Sequence, residues 1–165
     1  CYIPANRIDE GLVYEESIAD NIVISNLKSI VKRIILSAKL KLHEAEKYTK
    51  MVGVKSNGVY EQVKNLSGGN QKKVILARWL FRNSKILILN EPTSSIDISS
   101  KVDVYNILNK LVMSGTSILF ISSEIPELLG MCDRILVMYR GRIVKELERD
   151  EATQEQILYY SSGGQ

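Results

Sequence analysis

The sequence predicts an α/β fold in which a mostly parallel sheet is covered by helices. Three observations carry that prediction. Residues 86–89 (ILIL) and 117–121 (SILFI) are short, continuous aliphatic runs, as expected of strands buried on both faces. The segments before and between them carry apolar residues at helical spacing instead. Polar residues stand directly after each run, Asn90 and Glu91 after the first and Ser122, Ser123 and Glu124 after the second. Open α/β sheets present their ligands at that end of the strands.

Taken in order, Tyr2 and Ile3 read as the end of a strand, and residues 4–12 as a turn-rich loop with Pro4, Asn6 and Gly11. Ser17 is placed to cap a helix, with Asp20 at its third position completing a capping box and Ile18, Ile22 and Val23 forming the apolar face. Leu27, Ile30, Val31, Ile34 and Ile35 continue at helical intervals, and Leu40, Leu42 and Ala45 extend the pattern past an irregularity near Ser37. Residues 53–64 form a polar linker with a turn at Asn57 and Gly58. Residues 66–71 are a polar, glycine-containing turn opening a helix that runs to about Phe81, apolar at Val74, Ala77 and Leu80, and ending at Asn83 and Ser84. Pro92 stops the strand that follows, and residues 93–97 are a polar loop. Ser99 is expected to cap a helix over residues 100–113, buried through Val104, Ile107, Leu108 and Leu111 and ended by Gly115. After the second run come a short helix to Leu129, a hairpin of residues 133–139 and 142–147 about Gly141, a helix over residues 151–160, and a tail.

The 165 residues suffice for one domain with a sizeable core. With 45% hydrophobic and 25% charged residues the composition is that of a globular chain. No apolar stretch approaches the roughly 18 residues of a membrane span, and no early basic segment is followed by a secretory-type apolar run. A formal charge of +3 gives no reason to expect a nucleic-acid partner. Lys72 and Lys73 form a small basic patch read as solvated helix residues. Cys1 and Cys132 make no disulfide framework, and His43, without a nearby cysteine or second histidine, is expected to face solvent on a helix.

The chemistry concentrates in residues 66–97. Ser67 is suited to cap a helix, and Gly68 and Gly69 let backbone N–H groups approach a ligand. A helix N-terminus of that kind offers unpaired donors and the positive end of the dipole, which suits a phosphate. Glu91, at a strand end, has the type and place of a base that positions water; its bland alternative is a salt-bridged carboxylate at a sheet edge.

The ordered combination is more specific than its parts. LSGGNQ at 66–71, ARWL at 77–80, LILNEPT at 87–93 and SSEIPELLGMCDRILVMYRGRI at 122–143 resemble the signature motif, catalytic-carboxylate strand, and later core of an ABC-transporter ATPase. The form with Asn70 before Gln71 is similar to sugar importers of the ribose, xylose and galactose type, whose ATPase subunits carry two fused nucleotide-binding domains. PANRIDEGL at 4–12 resembles the segment that stands where other ABC ATPases have the Q-loop, with Ala5 and Asn6 in place of two acidic residues and Arg7, Gly11 and Leu12 kept.

The resemblance implies a P-loop NTPase-like ABC ATPase domain with a helical subdomain over about residues 17–82. No glycine is followed by lysine, so the phosphate-cradling G-x-x-x-x-G-K-[ST] loop is missing. The chain is therefore expected to be the C-terminal part of a second nucleotide-binding domain, truncated at its N-terminus, and to bind ATP weakly or not at all by itself. Two such domains stack head to tail in the family. The resemblance thus gives Ser67, Gly68, Gly69, Asn70 and Gln71, with Asp97 in the D-loop, to ATP held by the partner domain. Glu91 takes the place of the catalytic base, Ser123 that of the switch histidine, and Asn90 that of an aspartate that helps hold Mg²⁺. A neutral amide offers a hard cation less than a carboxylate does, so Asn90 is expected to weaken the metal site. The implied partners are a second nucleotide-binding domain, membrane permease subunits and, indirectly, a sugar-binding protein, at the cytoplasmic face of the membrane. The alternative is a non-hydrolytic remnant serving assembly or regulation. An ABC ATPase of DNA repair or translation shares the signature but fits the SSEIPELLG segment less well.

Overall fold

The computed structural model describes residues 1–6, 10–32, 34–94 and 96–164, and the chain divides into two compact units, residues 1–119 and 120–165. In the first unit, strand β1 (Tyr2–Ile3) pairs in parallel with β4 (Ile86–Asn90), Tyr2 opposite Ile88 and Ile3 opposite Leu89. The third strand of this sheet, β5 (Ser117–Ile121), lies on the other side of β4 and runs through the division between the units.

Three helices, α1 (Ile18–Val23), α2 (Ala38–Val52) and α3 (Gly68–Arg82), pack on one another. Their core is Ile18, Ala19 and Ile22 of α1, Ala45 and Val52 of α2 and Val74 to Ala77 of α3, all nearly or fully shielded from water. Ser17 caps α1 by accepting from the Asp20 N–H at 3.1 Å. The box is not closed in the expected way: the Asp20 carboxylate takes the Ser17 hydroxyl at 2.5 Å and the Lys41 ammonium of α2. The irregularity near Ser37 is the N-cap of α2, where the Ser37 hydroxyl accepts from Leu40 N–H. Gly53 ends that helix in the left-handed conformation, φ 65°, which only glycine adopts without cost. His43 is exposed on α2.

Residues 24–32 and 34–36 depart from the helical expectation. A kinked 3-10 segment (Ile24–Ile30) leads into a two-stranded hairpin of β2 (Val31–Lys32) and β3 (Ile35–Leu36). Ile34 and Ile35 are 93% and 77% exposed. Their aliphatic side chains, read as a helix face, are β-branched residues that suit a strand equally well.

Between the strands, α4 (Ile98–Met113) is capped by Asp97, whose carboxylate accepts from Ser100 N–H at 3.0 Å, rather than by Ser99. Val104 and Leu108 are its buried residues, while Ile107 and Leu111 are only half-buried. The strands are also less enclosed than their sequences suggest. In β4 Leu87 and Leu89 are buried but Ile86 is 60% exposed, and in β5 Leu119 and Ile121 are exposed.

The second unit holds α5 (Ile125–Met131), the antiparallel pair β6 (Arg134–Tyr139) and β7 (Arg142–Glu148), and α6 (Gln154–Ser161). Ile135, Val137, Leu147 and Ile157 make its small core. Gly141 turns the hairpin at φ 79°, and a complete capping box between Thr153 and Gln156 starts α6.

Candidate functional site

Helix α3 begins at the LSGGNQ stretch. Ser67 occupies the N-cap with extended backbone but makes no capping bond. Its hydroxyl oxygen instead accepts from the Asn70 side-chain amide at 2.9 Å, and the Asn70 side-chain oxygen accepts from the Lys55 N–H at 2.9 Å. The first turn thus keeps its N–H groups uncapped by Ser67, at an end where Ser67 is exposed and Gly68, Gly69 and Asn70 are half-buried. Gly69 lies against the start of α4: a Cβ there would come within 3.3 Å of the Ser100 hydroxyl and 3.7 Å of Ile96. Gln71, by contrast, is 2% exposed, and its amide donates to the Tyr14 hydroxyl at 3.0 Å and the Val63 carbonyl at 3.1 Å.

Close packing brings the signature turn and the Asp97 region together. Asp97 itself is exposed, and the hydroxyl of Ser99 and then the N–H of Ser100 hold its carboxyl well below the usual carboxylate range. Its charge is committed to the start of α4.

Lys72 and Lys73 are not solvated, contrary to the sequence expectation: they are 7% and 3% exposed. The Lys73 ammonium reaches the Asp103 carboxylate of α4 at 2.7 Å. The Lys72 ammonium reaches across to the loop after β4, donating to the Glu91 carbonyl at 3.1 Å, the Ser94 hydroxyl at 2.9 Å and the Ser94 carbonyl. Further along the helix, the buried Arg78 guanidinium donates to the Asn21 carbonyl, the Asn21 side-chain oxygen and the Gly11 carbonyl, each at 2.6 Å. Burial lowers its pKa from the ordinary guanidinium value. Gly11 packs closely on α3: a Cβ there would come within 2.7 Å of the end of the Ile75 side chain. Arg7 lies outside the described residues.

Asn90 ends β4 with its amide donating to the Tyr2 hydroxyl at 3.2 Å. Glu91 follows with φ 50°, left-handed backbone that a glutamate adopts only when its surroundings impose it. The Ser94 N–H and hydroxyl both donate to its carbonyl, at 3.3 and 3.0 Å. In the second unit Ser123 is exposed between β5 and α5, next to Ser122, whose hydroxyl donates to Glu127 at 2.8 Å and accepts from Glu124 N–H.

The two groups that the sequence resemblance implies fare differently. The N-terminal turn of α3 fits a phosphate: glycines on the first turn, uncapped N–H groups and a serine hydroxyl on its rim. Mg²⁺ does not fit Asn90, a neutral side chain tied to Tyr2, and among the described residues no cluster of three or more His, Cys, Asp or Glu is arranged for a metal.

The ABC transporter family matches residues 3–94, more than half of the chain. The chain belongs to the ABC transporter family. It is 44% identical over 99% of its length to the xylose import ATP-binding protein XylG of Thermoanaerobacter pseudethanolicus, covering 32% of that protein. It is 42% identical over 99% of its length to the ribose import ATP-binding protein RbsA of Bacillus cereus, covering 33%. The chain thus spans about a third of the length of the curated relatives it matches. The dimeric ATP-binding cassette MJ0796, in a post-hydrolysis state bound to ADP and Pi, shares the fold with a TM-score of 0.75 at 19% identity, over 90% of this chain and 62% of that one.

The sequence left two of the site's contacts unread. Lys72, anchored in the Glu91 loop, had no signal in the sequence, since the burial that runs unbroken from Gln71 to Arg78 is a property of the packed structure. The Asn70 to Ser67 bond had no signal beyond the i, i+3 spacing of an amide and a hydroxyl.

Proposed function

We propose that this chain is part of an ATP-hydrolysing subunit that powers sugar import, and that it supplies its signature turn in trans to ATP held by a partner nucleotide-binding domain. The observation that carries the reading is the N-terminus of α3: an exposed Ser67 whose hydroxyl is held by Asn70 instead of capping the helix, beside two glycines on a first turn that has no side-chain cap. Its relatives are named as sugar import ATP-binding proteins, which supports the substrate class. Residues 17–82 would then be the helical subdomain, permease subunits and a sugar-binding protein the further partners, and the cytoplasmic face of the membrane the place of action. Among the described residues no helix is long and apolar enough to cross a membrane.

On this reading the chain's residues divide their roles. Gly68, Gly69 and the Ser67 hydroxyl donate to a phosphate presented by the partner domain. Glu91 is the local base, and Ser123 offers a hydroxyl in place of an imidazole. Asn90 supplies no carboxylate, and the local site contributes less turnover than the partner's site. Asp97, which also caps α4, stands in the D-loop across the interface with the partner domain.

The test uses the two-domain subunit with permease present. Ser67→Arg fills the signature turn with a bulky side chain and removes the hydroxyl, and steady-state hydrolysis should fall by a factor on the order of 100 or more. Glu91→Gln removes the base of one site and should cost less. Abolition of turnover by Glu91→Gln with Ser67→Arg fully active would sink the trans assignment. Loss of neither would favour a non-hydrolytic remnant.

A further inference from the structure

The Lys72 side chain crosses from the second turn of α3 to the loop after β4, where its ammonium bonds to Glu91 and Ser94. An ammonium has three donors and no acceptor. Here the acceptors are the Glu91 carbonyl, the Ser94 carbonyl and the Ser94 hydroxyl. The side chain is buried, so these charge-assisted bonds form where water competes little. They close on Glu91, whose backbone is left-handed at φ 50°. For a residue with a Cβ that conformation costs on the order of 1 kcal/mol and persists only where contacts over-determine it. The Glu91 carbonyl receives three donors, from Lys72, the Ser94 N–H and the Ser94 hydroxyl. The last of these hydroxyl contacts is itself steadied by Lys72.

We infer that Lys72 is a positioning residue: it clamps the loop after β4 so that Glu91 keeps its left-handed turn, and it ties the direction of that carboxylate to the helix that carries the signature. The catalytic meaning of the clamp rests on Glu91 acting as the base, but the clamp itself is a property of the chain without nucleotide. Lys72 and Ser67 lie five positions apart on one rigid helix, so the signature turn and the carboxylate loop are mechanically joined within this chain. A shift of α3 carries the Glu91 carbonyl with it.

The experiment is amide hydrogen exchange, resolved by residue, on the 165-residue chain and two variants. Lys72→Met keeps the aliphatic stem and removes all three donors. Ser94→Ala removes the hydroxyl at a half-buried position and leaves Lys72 in place. In Lys72→Met the Ser94 amide should exchange about tenfold faster, while the Leu87 and Leu89 amides of β4 keep their protection. In Ser94→Ala the amide of residue 94 should exchange about threefold faster, again without a change in β4. Unchanged exchange at residue 94 in both variants would overturn the clamp. A parallel rise at residues 87, 89 and 94 would also overturn it, because Lys72 would then support general stability and not the loop. Should Lys72→Met fail to fold, Ser94→Ala alone decides. No nucleotide enters these measurements, so their failure is distinct from failure of the hydrolysis test on Ser67 and Glu91.

Discussion

The front and the rear of α3 are built to opposite rules. The front, Ser67 to Asn70, is polar, partly open, and holds its serine by a side-chain bond that leaves the helix uncapped. From Gln71 to Arg78 eight consecutive residues are buried, four of them polar or charged. One face of a helix accounts for burial of about half of such a run; burial all round means that α3 has neighbours on every side. The polar members are tolerated because each reaches a partner: Gln71 at Tyr14 and Val63, Lys72 at the Glu91 loop, Lys73 at Asp103, Arg78 at Asn21 and Gly11. The difference teaches that a motif's chemistry and its support sit on one helix a single turn apart, and that the support is made of charges.

Three stability measurements separate the two ends. Arg78→Met should have the largest effect, about 3–5 kcal/mol lost in denaturant unfolding, because three buried oxygens of Asn21 and Gly11 lose a charged donor together. A loss under about 1 kcal/mol would mean that water replaces the guanidinium and that the rear is not a sealed layer. Lys73→Met should cost less, about 1 kcal/mol, since the Asp103 side chain it abandons is 56% exposed and regains water. Ser67→Ala should be smallest. A capping serine is worth about 1 kcal/mol, but Ser67 makes no capping bond, so a loss of no more than about 0.5 kcal/mol in melting or denaturant curves is expected. A full 1 kcal/mol would show that the hydroxyl caps in solution and would blur the contrast.

Much of the fold was legible because its punctuation is local. Ser17 marks a helix start, Asn83 takes the left-handed C-cap at φ 54°, and Gly141 turns the last hairpin, whereas Ser37, a helix start, was legible only as an irregularity. The hairpin at residues 31–36 was missed because Ile30, Val31, Ile34 and Ile35 satisfy a helical spacing as readily as a strand. Asp97 was passed over as the cap of α4 in favour of Ser99, two residues on, since both side chains are good caps and only the backbone decides. Burial was harder still. The aliphatic run at residues 86–89 reads as enclosed on both faces, yet Ile86 is 60% exposed, because enclosure depends on what lies across the sheet and not on the strand. At the site, Glu91 and Asn90 stand at the strand end where the sequence put them. The roles of Lys72 and Lys73 were illegible, since a lysine's long stem reaches partners far away in sequence, 19 to 30 residues here.

The left-handed turn at Glu91 also governs how variant libraries at this position are to be interpreted. Valine, isoleucine and threonine clash with that backbone through their branched Cβ, whatever chemistry they lack. Inactivity of such variants reports a displaced loop and carries no information on the carboxylate. Glutamine keeps the side-chain shape and glycine accepts the backbone, so those two substitutions separate the charge from the turn. A scan in which glycine folds well and glutamine alone among the well-folded variants retains the binding geometry would assign the charge its own role, residue by residue.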